Sequence, residues 1–216
     1  MAGNVLFAEA DVVPWLTRMR LPQDVLLNIF EMTLAERSNV TASDPVTTPG
    51  TELWRWAIRF SRDDLSLREL GWVACWHDQI EGIRNDDLKI KLAFSNTDTY
   101  TGIPSKTPRN VSDKGPSAVK LIAHNSGQKA FDFFQEPSVP EPEISKYDFW
   151  YFCLHASDKS VAAEISRPDL ILGNTIRSFS HRIILCQPGQ MGGLRRRDPV
   201  PEEFAQIEKP KLIRKS

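Results

Sequence analysis

Four groups of residues carry side chains suited to chemistry. The first gathers at one helix start. Lys106, Arg109, Asn110, Lys114 and Lys120 flank Gly115-Pro116, and proline favours the first position of a helix. Free N–H groups and a partial positive charge at a helix N-terminus attract phosphate or carboxylate. Converging Lys and Arg side chains add charge-assisted hydrogen bonds there. The phosphate-loop spacing GxxxxGK[ST] is absent, so this group reads as an anion or nucleic-acid site without a nucleotide-specific motif.

The second group is acidic. Asp87-Leu88-Lys89 has the form D-x-K, and Asp78 lies upstream across a hairpin. The set resembles a shortened PD-(D/E)xK nuclease signature. That resemblance implies two carboxylates holding Mg²⁺ and a lysine that positions or polarises the attacking water. Asp86-Asp87 also suits a tight turn, which competes with that role. Mg²⁺ is expected only on the nuclease reading, and no other cofactor is.

The third group lies on one aromatic hairpin. In Tyr147–Ala156 (YDFWYFCLHA) and Val161–Ser166 (VAAEIS), a turn centred on Asp158-Lys159 places Cys153 opposite Glu164, His155 opposite Ala162 and Tyr151 opposite Ser166. Trp150, Phe152, Leu154, Val161, Ala163 and Ile165 then form an apolar face. Tyr151, His155, Glu164 and Ser166 form a polar face that is either wet or functional. His155 beside Glu164, with His181 on the next strand, is a candidate acid–base pair. No nucleophile elbow GxSxG accompanies it.

The fourth group is the C-terminal tail, where Arg195, Arg196 and Arg197 and the final KPKLIRKS suit a polyanion or a partner surface. On the expected second helix, Arg55, Arg59 and Arg62 share one side and read as a solvated face.

These groups need elements to position them. Pro22 opens a helix carrying Val25, Leu26, Ile29 and Phe30, which fades near Arg37. Thr51 caps a second, with Leu53, Trp54, Ala57 and Ile58 inward. A short continuation ends at Gly71. WVACWH and KIKLAFS are strands, with Ile90, Leu92 and Phe94 inward and Lys89, Lys91 and Ala93 outward. Asn96–Gly115 has no hydrophobic period and is longer than a simple connection needs, which marks a functional loop. A helix from Pro116 buries Val119, Ile122, Ala123, Ala130, Phe131 and Phe134. Residues 136–146 form a proline-rich acidic linker. Residues 1–20 resist assignment. Most tryptophans read as core.

The expected fold is α+β: a mainly antiparallel sheet of about five to six strands, built from two β-meanders and packed by two or three helices, with a flexible C-terminal tail. Residues 1–186 form one domain, with helices and the first meander in 1–135 and the second meander in 147–186. Residues 187–216 form the tail.

Composition narrows the function classes. Hydrophobic residues at 41% and charged residues at 25% are those of a globular chain. No apolar run reaches the length of a transmembrane helix. The N-terminus lacks a basic n-region, so a cytoplasmic protein is expected. Cys75, Cys153 and Cys186 are far apart and read as buried thiols. The net charge of −1 hides a segregation: residues 101–130 carry five basic residues against Asp113 alone, and residues 191–216 carry seven against four acidic ones. Basic patches on an acidic body point to a non-enzymatic binding protein acting on nucleic acid or an acidic protein surface. The alternatives are the Mg²⁺-dependent nuclease and a protein–protein interaction module.

Overall fold

The computed structural model describes residues 3–77, 80–126 and 147–191. Seven strands and five helices lie along them. They are β1 (Asn4–Leu6), α1 (Glu9–Arg18), α2 (Gln23–Arg37), α3 (Thr48–Asp63), α4 (Leu65–Glu69), β2 (Trp72–His77), β3 (Ile80–Asn85), β4 (Ile90–Asn96), α5 (Pro116–Asn125), β5 (Asp148–Ala156), β6 (Val161–Leu172) and β7 (Thr175–Cys186). The strands form one sheet in the order β1-β7-β6-β5-β4-β3-β2.

The sheet is mixed, which corrects the expectation of a mainly antiparallel sheet. Strands β2-β3-β4 pair antiparallel, as do β5-β6-β7. Two parallel pairings complete the sheet. Strand β4 runs beside β5, from Ile90 opposite Asp148 to Asn96 opposite Leu154, and β1 runs beside β7. A parallel neighbour needs a long crossover, and the chain between β4 and β5 supplies one that includes α5. Five helices are present among the described residues instead of two or three. Helix α1 holds Pro14 inside it, where proline lacks a backbone donor and breaks the helical pattern. That proline is why residues 1–20 resist assignment.

Both faces of the sheet are covered. On one face, Ile83, Leu92, Phe94, Trp150, Phe152, Leu154, Ala163, Ile165 and Ile183 pack against helices α1–α4 through Leu16, Leu26, Ile29, Phe30, Leu53, Ala57 and Leu67. On the other, Ala93, Phe149, Tyr151, Cys153, Ile176 and Phe179 pack against Leu121 and Ile122 of α5. The predicted apolar face of the hairpin and its register are those observed: Tyr151 lies opposite Ser166, Cys153 opposite Glu164 and His155 opposite Ala162. The predicted outward side of β4 is instead interior, with Lys91 and Ala93 buried beneath the second layer. Trp76 is an exception to the reading of most tryptophans as core, being 73% exposed on the edge strand β2. The linker at 136–146, the later residues of the predicted Pro116 helix and residues 192–216 of the tail lie outside the described residues.

Candidate basic face and lysine cleft

The polar side of the hairpin is a socket. Glu164, Ser166 and Arg182 are buried, and so is His155. An isolated carboxylate there would be costly; pairing and hydrogen bonding offset the cost. Arg182 provides both. Its Nε donates to Glu164 Oε1 at 2.9 Å and its Nη2 to Oε2 at 2.6 Å. Ser166 Oγ donates to Oε1 at 2.7 Å, and the Gly102 amide donates to Oε2 at 2.8 Å. The fork is bidentate, the strongest geometry open to such a pair. Four donors thus engage both oxygens of Glu164 and tie it to the fold.

The same pair holds the 97–115 loop. Arg182 donates to the carbonyls of Ile103 and Lys106. The Thr97 amide donates to the Leu154 carbonyl at 2.9 Å, and the Thr97 and Thr101 hydroxyls meet at 2.7 Å. His155 Nδ1 lies 3.1 Å from the Thr97 carbonyl, and no hydrogen bond joins it to Glu164. His155 Nε2 is buried with no partner among the described residues. Asp98 accepts from the amides of Tyr100 and Arg109. Asn110 donates to the carbonyls of Ser112 and Asn174 and accepts from the Ile176 amide. Gly102 adopts φ +72°, and a Cβ there would stand 2.6 Å from the Cys186 carbonyl oxygen. The loop is polar in sequence yet pinned along its length. Its anchors are hydrogen bonds, not apolar side chains.

His181 does not join the socket. It packs on Trp15 at 4.9 Å and Trp150 at 6.1 Å, on the helical face of the sheet. Its neighbour Arg182 takes that place, because side chains alternate along a strand. The sequence held a signal for this: a glutamate on a covered strand demands a cation on the next one.

The five predicted anion-binding residues separate into three roles. Lys106, Arg109 and Lys120 are exposed. They form no ion pair among the described residues, whereas Arg20, Arg55, Arg59, Arg62, Arg68, Arg84, Arg167 and Arg182 each have one. Asn110 is a structural clasp. Lys114 is half-buried. Its Nζ donates to Ser95 Oγ at 2.7 Å and lies 4.8 Å from the Tyr151 ring centroid. Burial lowers the Lys114 ammonium from its ordinary 10.5 to about 8, against a smaller upward pull from the Cys153 thiol. Burial, with Glu164 nearby, raises that thiol well above its ordinary value.

Lys114 lines a cleft of about 210 Å³ with Trp54, Glu81, Phe94, Tyr151 and the first turn of α5. Topology creates it. Strands β3 and β4 pair only from Asn85–Ile90 to Gly82–Ala93. Beyond that point β3 stays with β2 while β4 continues beside β5, and the parting leaves a fork between α3 and α5. Helix α5 begins at Gly115 without a side-chain cap.

Asp87 and Lys89 lie in the turn after β3, whereas position 78 precedes β3 and lies outside the described residues. Asp87 pairs with Arg20 at 3.0 Å, and its side chain is 74% exposed. Lys89 Nζ lies 5.6 Å from the Tyr147 ring centroid. Among the described residues, no cluster of three or more His, Cys, Asp or Glu side chains is placed to hold a metal. Arg195, Arg196 and Arg197 lie outside the described residues. None of the described helices is long and apolar enough to cross a membrane.

Comparison of the chain with protein-family models, curated proteins and solved structures finds no match.

Proposed function

We propose that the protein is a non-enzymatic binding protein that docks on the phosphate backbone of nucleic acid through its loop–α5 face. One contrast supports this reading. Lys106, Arg109 and Lys120 stand exposed and without ion pairs among the described residues, as Arg18, Lys89, Lys159 and Arg177 also do, but these three fall within one loop–helix stretch of 15 residues (106–120) whose one acidic residue is Asp113, while eight arginines elsewhere are neutralised by carboxylates. Lys106 and Arg109 sit on a loop whose backbone is fixed by Arg182, Asp98 and Asn110. Fixed cations lose less freedom on binding than cations on a floppy loop. Phosphate contacts position a protein on nucleic acid without reading its sequence, so weak sequence preference is expected.

The test is a salt titration of binding to duplex DNA and single-stranded RNA. Each phosphate contact contributes about 0.9 to the slope of log affinity against log salt for B-DNA, and about 0.7 for single strands. Lys106→Ala with Arg109→Ala is expected to weaken binding and flatten the slope by about 1 to 2 units. The melting temperature should barely move, because exposed charges contribute little to stability. Absence of binding to either nucleic acid at low salt overturns the reading. Binding to an acidic protein with the same salt dependence would move the partner class to protein.

A further inference from the structure

We propose that the partner of the loop face is a single-stranded nucleic acid, one of whose bases stacks on the Tyr100 ring while Lys106 and Arg109 hold its phosphates. This assignment rests on the polyanion reading and narrows its partner to a strand whose bases are free.

Tyr100 is the feature that the cations leave unused. It is 43% exposed and belongs to neither of the two cores. Its position is nevertheless fixed. Asp98 Oδ1 accepts from the Tyr100 amide at 3.1 Å and from the Arg109 amide at 3.2 Å, so one oxygen makes neighbours of the backbone at Tyr100 and at Arg109. The Asp98 amide donates in turn to the Arg109 carbonyl at 3.0 Å, and the Thr101 amide and hydroxyl both donate to the Asp98 carbonyl, which closes the turn carrying Tyr100. Lys106 completes the set. Arg182 holds its carbonyl, and its Nζ stands 5.8 Å from the Tyr100 ring centroid. A cation–π contact at an exposed site contributes little, so the ammonium is free to turn from the ring to a phosphate. The carboxylates of this stretch leave the ring and its cations open. Asp98 is turned to its two amides, and Asp113 follows Arg109 in sequence with Lys114 beside it.

A ring held among fixed cations selects for unpaired bases. In a duplex the bases stack on one another, and an approaching surface meets phosphates, sugars and groove edges. Tyr100 would have no π face to lie on there. In a single strand each base offers one, and an aromatic side chain stacks on it whatever the sequence. Lysine and arginine beside the ring then track the backbone. RNA and DNA strands share this chemistry.

The experiment measures binding of the full chain to fluorescent oligo(U), oligo(dT) and a DNA duplex of equal length by anisotropy. Tyr100→Ala should weaken binding to both single strands about 5- to 100-fold, the range of one aromatic–base stack, and change duplex binding by less than about twofold. Tyr100→Phe keeps the ring and should bind as the parent does. Tyr100→Leu keeps apolar bulk without the ring and should recover little of the loss. The salt slope should stay that of the parent in all three, because stacking releases no counterions. The parent should also hold the single strands at salt concentrations that release the duplex. Equal losses on single strands and duplex overturn the proposal, as does a Tyr100→Phe variant as weak as Tyr100→Ala. Parent-like binding by Tyr100→Ala and Tyr100→Leu, with the Lys106→Ala and Arg109→Ala change still flattening the slope, removes the stack and leaves the polyanion reading standing. A parent that binds none of the three probes at low salt removes both.

Discussion

Glu164 and Arg182 illustrate what a single buried pair does. Breaking such a pair leaves an uncompensated charge, which costs about 3–5 kcal/mol. Glu164→Gln and Arg182→Met are each expected to destabilise by that order in chemical denaturation. The double variant should cost less than the sum of the two, because no lone charge remains. Strict additivity would mean that the two side chains do not act as a pair. Lys114 makes the opposite case, a cation held where burial disfavours charge. Its folded pKa of about 8 lies below the ordinary 10.5, so between those values the unfolded chain binds more protons. Stability must therefore rise with pH across that window. Lys114→Met should be more stable than the parent below pH 8, with the difference shrinking toward pH 10.5. A difference independent of pH would show that the ammonium is not desolvated. At this scale the sequence was partly legible. The alternation in Tyr147–Ser166 placed Glu164, Ser166, His155 and Tyr151 on one face. What covered that face was not visible, because the cover comes from residues 97–115 and α5, far off in the chain.

The 97–115 loop is an element without regular secondary structure. Its length and lack of apolar period mark it in the sequence, but they do not reveal its anchors. Those anchors are carbonyls and amides, which every residue carries, so composition is silent about them. Gly102 is the tightest point. Gly102→Ala forces φ +72° on a side-chain residue and drives a Cβ to 2.6 Å from the Cys186 carbonyl oxygen. The expected cost is about 1–3 kcal/mol. Hydrogen exchange should locate it, with faster exchange at Gly102 and Thr97 while β5 amides stay protected. Uniform acceleration through β5 and β6 would instead mean that the loop and the sheet open together. The two meanders were legible through their hairpin turns and alternation. The parallel seam between β4 and β5 was not, since nothing local in either strand states which distant strand will lie beside it.

At the scale of the molecule, the first and last described strands are neighbours: Asn4–Leu6 of β1 lie beside His181–Ile183 of β7. Leu6 and the buried side of α1, Val12 and Leu16, belong to the same core as Ile183 and Leu185. During synthesis β1 leaves the ribosome 177 residues (181 − 4) ahead of its mate in β7. At about 5–20 residues per second the interval is roughly 10–35 s. For that time the apolar side of α1 lacks β7, and that part of its cover is open to chaperones or to the wrong neighbour. A fully made chain diluted from denaturant meets both strands at once. Vectorial synthesis and refolding thus begin from different problems, and the segment exposed to that difference is β1 with α1.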